Sequence, residues 1–123
     1  MEDNILKSVK QTLGVQTDDD SFDMDLSIYI SSALSTLKQL GVTFLTNSTS
    51  ITTGNETWTG LFGIAADTGK IAAYVVLKTG MLFDPPTTSF ALEAKKLVAA
   101  ELADRIYFDY LPPVVTTTQT TEE

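Results

Sequence analysis

Apolar positions in the first forty residues repeat with the period of an α-helix. Ile5, Leu6, Val9 and Leu13 share one face, and Gly14 stands where a left-handed residue ends a helix. A second series is longer: Phe22, Leu26, Ile30, Ala33, Leu34, Leu37 and Leu40 form a stripe. Ser27, Ser31, Ser32, Ser35 and Lys38 occupy much of the remaining surface, and Gly41 closes the pattern. The spacing predicts an amphipathic helix over about residues 22–40.

The period then breaks. Residues 42–66, containing "TNSTSITTGNETWTG", are rich in Thr, Ser, Asn and Gly, which predicts a small hairpin or a long ordered loop around Thr53-Gly54-Asn55. Long loops in compact domains often carry function. Trp58, the single tryptophan, reads either as a plug over the core or as an interface anchor.

Asp67-Thr68-Gly69 reads as the start of a third helix. Ile71, Tyr74, Val75 and Leu82 recur at helical spacing, while Leu77, Met81 and Phe83 widen the apolar surface. A helix apolar on more than one side is central or enclosed by partners. It must stop at Asp84, because Pro85 disfavours the α conformation there and Pro86 extends the effect. Thr87, Thr88 and Ser89 offer capping hydroxyls to a fourth helix. In that helix Phe90, Ala94, Leu97, Val98, Leu102 and Ile106 form the expected stripe. Leu92, Ala99, Ala100, Ala103, Tyr107 and Tyr110 add apolar surface beside it. Pro112-Pro113 prevent continuation, and the following "VVTTTQTTEE" has no amphipathic period.

The expected architecture is therefore all-α: about four helices in a small bundle, with a loop or hairpin insertion and an extended tail. At 123 residues the length suits one domain. Residues 1–111 form it, with the insertion at 42–66, and residues 112–123 form the tail.

Charge sharpens the picture. The chain carries a net −8, which argues against a surface that works by neutralising phosphates. Residues 1–26 hold a net −5, residues 27–66 a net of zero and residues 67–123 a net −3. The nearly uncharged middle hints at covered surface. No histidine or cysteine is present, which removes imidazole and thiolate chemistry, and no cofactor is expected. "DDDSFDMD" at residues 18–25 invites a calcium reading that fails on inspection. Counted from Asp18, Phe22 falls on a ligand position, Asp23 replaces the turn glycine and Tyr29 replaces the closing glutamate. An acidic N-cap region for the long helix is the better reading, so no metal site is expected. No nucleophile–base pair or phosphate-cradling loop stands out, so no catalytic residue is assigned and no enzyme activity is expected. The acidic start "MEDNILKSVK" lacks the apolar run of a secretory leader, and no segment has the length of a membrane span.

The order of parts resembles the head–tail connector proteins (adaptor or head-completion proteins) of long-tailed bacteriophages, over about residues 4–111. Two places carry most of the likeness. One runs from Ile30-Ser31-Ser32-Ala33-Leu34 through Gln39-Leu40-Gly41-Val42, and the other is the Met81-Leu82-Phe83-Asp84-Pro85-Pro86 elbow leading to Ser89-Phe90. The Thr-rich loop and the tail fall outside the family pattern. The resemblance implies an all-α structural subunit of a dodecameric ring at the virion neck, assembled in the host cytoplasm. That ring would join the portal protein to a stopper or tail-completion protein, with genomic DNA passing through its lumen without specific binding and no membrane involved. Acids facing the lumen would let the duplex slide, whereas acids facing outward would only aid solubility.

Candidate contact residues follow. Trp58 and Tyr74 are aromatic anchors, and Asp84, Pro85, Pro86 and Phe90 form the elbow. Tyr107 and Tyr110 lie at the end of the last helix. Val114, Val115 and Thr117 belong to a tail expected to add as a strand to a neighbour or to the portal. A competing reading is a small acidic helical regulator or DNA-mimic inhibitor, against which the uncharged middle argues. A nucleic-acid packaging subunit would be basic instead.

Overall fold

A computed structural model describes residues 3–46, 49–63 and 68–110. Five helices follow in order: α1 (Ile5–Leu13), α2 (Asp23–Gln39), α3 (Trp58–Phe62), α4 (Thr68–Phe83) and α5 (Ser89–Asp109). The protein is all-α, and the described residues contain no strand beyond a single bridge between Asn4 and Thr57.

Helix ends follow local chemistry. Asn4 caps α1 by accepting from the Lys7 amide at 2.9 Å, and Gly14 at φ 82° ends it in the left-handed region. The N-terminus of α2 departs from expectation. Phe22 occupies its cap position with no side-chain cap bond, and Asp23 and Asp25 stand in the first turn. Asp19 instead folds the preceding turn by accepting from the amide and hydroxyl of Ser21.

The core is built on α4. It packs against α2 on one side and α5 on the other, while α1 and α3 also rest on it. Two-sided packing explains its broad apolar surface: Ile71, Ala72, Tyr74 and Val75 are buried, although Leu82 is exposed. From α2 come Leu26, Ile30, Ala33, Leu34 and Leu37, and from α1 Ile5, Leu6 and Val9. Gly80 lets α1 come close, since a Cβ there would lie 3.1 Å from Leu13 Cδ2.

The elbow works as its residues imply. The Asp84 amide donates to the Gly80 carbonyl at 2.8 Å, closing α4. Of the three hydroxyls, Thr88 is the cap of α5, accepting from the Ala91 amide at 3.1 Å. The resulting hairpin is pinned at its far end by Lys70 and Asp109, 2.7 Å apart. That partly exposed pair contributes about 1 kcal/mol at most.

α5 corrects the sequence reading. Phe90, Ala94, Leu97 and Val98 face outward, and the helix buries Ala99 and Ile106 with Leu92, Leu102 and Ala103 partly covered. Small residues on the inner face let α5 lie close to α4, so the larger apolar side chains are left outside.

Candidate assembly surface

The Thr-rich segment is ordered around one carboxylate. Glu56 accepts from the amides of Thr52, Thr53 and Gly54 at 3.0–3.1 Å and from both threonine hydroxyls. Burial pushes its pKa up, but the donated hydrogen bonds outweigh burial and hold it at about 2. The loop is stitched to the chain's start: Asn4 Nδ2 donates to the Gly54 carbonyl, and Asp3 accepts from the amide and hydroxyl of Thr59. α3 then drops Trp58 into the core at 2 % exposure, where its indole N–H donates to Ser8 Oγ at 3.0 Å. The Phe62 ring lies roughly parallel to it, 6.3 Å away.

Lys10 forms a second internal tie. It is 3 % exposed, donates to the carbonyls of Thr17 and Asp19, and lies 2.5 Å from Asp23 Oδ1. The acidic run thus closes around an internal lysine. Among the described residues no group of three or more Asp or Glu is arranged to hold a metal.

The proposed contact residues separate into two sets. Trp58 and Tyr74 belong to the interior. Tyr74 lies beside a cleft of about 190 Å³ between α4 and α5, also lined by Lys78 and Lys96, and burial pushes its phenol pKa up. Asp84, Pro85, Phe90 and Tyr107 are exposed, while Pro86 and Tyr110 are half-buried. Val114, Val115 and Thr117 lie outside the described residues.

Phe90 is not alone on its face. At 85 % exposure it begins an outward line on α5 that continues through Ala94 and Leu97 to Phe108, the latter two 71 % and 67 % exposed. Positions 90, 94, 97, 101, 104 and 108 fall within a narrow arc of the helix, with Glu101 and Asp104 between the apolar ends. The two phenylalanines alone leave roughly 300 Å² of ring surface in solvent. Large aromatic side chains are enriched at protein–protein contacts, which makes these two exposed rings candidate contact points. Leu97 and Phe108 were missed as contact residues because a helical period shows that a face exists, not which face is covered.

A second apolar patch lies beside α2. Met24 and Ile28 on α2 are exposed and border an open groove of about 590 Å³, with Leu6, Ile51 and the 52–54 loop as its other walls. Neither surface assembles catalytic groups. Among the described residues no helix is long and apolar enough to cross a membrane.

Exposed apolar side chains on α2 and α5 suit a protein that works by contact with other chains. The phage connector protein family model matches residues 5–110, and the chain belongs to that family of structural head–tail connectors. No curated protein and no solved structure matches it.

Proposed function

We propose that the chain is one subunit of an adaptor ring at the phage neck, docked under the portal protein and presenting its far side to a stopper or tail-completion protein. The ring has no enzymatic activity and forms part of the DNA channel. The observation that carries this reading is the outward line Phe90–Leu97–Phe108 on a helix whose inner face is already packed. A lone chain gains nothing from it, whereas a ring covers it. Membership of the phage connector family supports a structural role in a phage particle, and the net −8 suits a channel through which DNA passes without being held.

Sizing and negative-stain imaging of the full chain, alone and with its portal protein, test the proposal. Closed rings, or monomers that become rings on the portal, are expected. A chain that stays monomeric and instead inhibits an enzyme would favour the acidic-regulator reading. The tail supplies a separate test: truncation after Leu111 should weaken portal docking while leaving helix content unchanged, and unaltered docking would remove the tail from the contact.

A further inference from the structure

The cleft between α4 and α5 differs from the apolar surfaces in its chemistry. Ala99, Ala100 and Ala103 give it a smooth wall, and Tyr74, Lys78 and Lys96 bring polar ends to it, while no carboxylate lines it. Tyr74 is 3 % exposed, and its hydroxyl has no hydrogen-bond partner among the described residues. That oxygen is nevertheless not sealed from solvent, so it opens into the cleft. Lys78, half-buried on α4, has no ion-pair partner among the described residues either. Lys96 meets Glu93 at 3.7 Å on exposed helix surface, a contact worth little. One phenol donor and two ammonium groups around a small hollow are the chemistry that takes a carboxylate. At about 190 Å³ the cleft is below the usual size of a cofactor pocket and admits only the ends of side chains.

We propose that this cleft seats the carboxylates of Glu122 and Glu123 of the same chain. Charge selects that occupant first. Residues 111–121 carry no charge, so the acidity beyond α5 is gathered at 122 and 123, opposite in sign to Lys78 and Lys96. Reach agrees. Lys96 lies roughly 21 Å back along α5 from Tyr110, and the stretch from Tyr110 to Glu122 spans up to about 40 Å, so the acids can return to the cleft with slack. Tethering is the third reason. Exposed ion pairs are weak alone, but a link this short holds the acids at roughly millimolar effective concentration beside the lysines, which a free acidic peptide in dilute solution does not match. Docking of the tail on the portal, proposed above, then competes with this seat.

The absence of native cysteine makes the test direct. Ala100→Cys puts a thiol on an exposed position of the cleft wall, and Thr121→Cys puts one beside the two glutamates; helix content verifies the fold. The full chain carrying both, dilute and without portal protein, is treated with a short bismaleimide. The expected result is a link within one chain, formed at least about tenfold faster than in the same chain with Glu122→Gln/Glu123→Gln, and slowed by about 0.5 M salt. Equal rates with and without the acids overturn the seat, because the tail then meets the cleft only by diffusion. Links formed solely between chains overturn it too, since the acids then belong to another copy. A second readout leaves the cleft unaltered. Acetylation of Lys78 in the otherwise native chain, followed by mass spectrometry, should speed up at least about threefold on Glu122→Gln/Glu123→Gln. An unchanged rate would mean that no carboxylate of the tail covers Lys78, and would overturn the seat. None of these measurements involves rings, so failure of the seat and failure of the ring reading are read separately.

Discussion

Lys10 shows how one residue can carry a structural role its type conceals. It sits in line with Leu6 and Leu13 on the inward side of α1, where an apolar side chain would be usual, and two carbonyls and Asp23 meet its charge. Replacing it with Met should cost about 2–4 kcal/mol, because both carbonyls lose a donor and Asp23 its counter-charge. Equilibrium denaturation reads this directly, and a loss well below 1 kcal/mol would mean that water replaces the ammonium. Glu56 yields a pH prediction. Its pKa is lower in the folded chain, about 2 against 4.5, so its contribution is fully present above about pH 4.5 and fades as pH falls toward 2. Glu56→Gln should therefore cost about 1–2 kcal/mol at neutral pH, a value reduced for solvent screening, and the gap to the parent should narrow through that window. A gap independent of pH would mean that shape, not charge, organises the loop. Thr79 is fully buried and its hydroxyl has no hydrogen-bond partner among the described residues. Thr79→Val should raise stability by about 1 kcal/mol, measured as a shift in the denaturation midpoint. None of these three roles was visible in the sequence. Each depends on which groups meet in space, although a lysine in an apolar line beside an acidic run was a usable signal for the first.

At the level of elements, the sequence was most informative where local chemistry decides. Gly14 and Gly41 ended helices where expected, and the Pro85-Pro86 elbow ended α4 with a threonine capping α5. The breadth of the α4 surface anticipated a central helix, and α4 does lie between α2 and α5. Legibility failed where tertiary packing decides. α3 spans five residues, too few to show a period, and its position depends on Trp58 reaching Ser8. Apolar residues fall on every side of α5, so its sequence could not tell that Ala99 and Ile106 would face inward and Phe90 and Phe108 outward. That inversion makes a prediction: Phe90→Ser should leave thermal stability within about 0.5 kcal/mol, as expected for exposed positions, whereas Trp58→Ala should cost about 3–5 kcal/mol. A large loss from Phe90→Ser would show that Phe90 supports the isolated fold.

For the whole molecule, charge and apolar surface point to one economy of design. The chain keeps enough core to fold around α4 and leaves several large apolar side chains outside, among them Met24 and Ile28 on α2 and Phe90, Leu97 and Phe108 on α5. Its acids outnumber its bases by two to one, so duplex DNA should show no measurable affinity for the assembled ring even at low salt, where phosphate binding is strongest. Retention of DNA in such an assay would remove the smooth-channel role. The most direct measurement of the central claim is an electron cryo-microscopy map of the neck of the phage particle that carries this protein. It should show a closed ring of these chains beneath the portal, with Phe90, Leu97 and Phe108 of each copy covered by its neighbour. A neck without the chain, or a ring in which α5 lies bare to solvent, would contradict it.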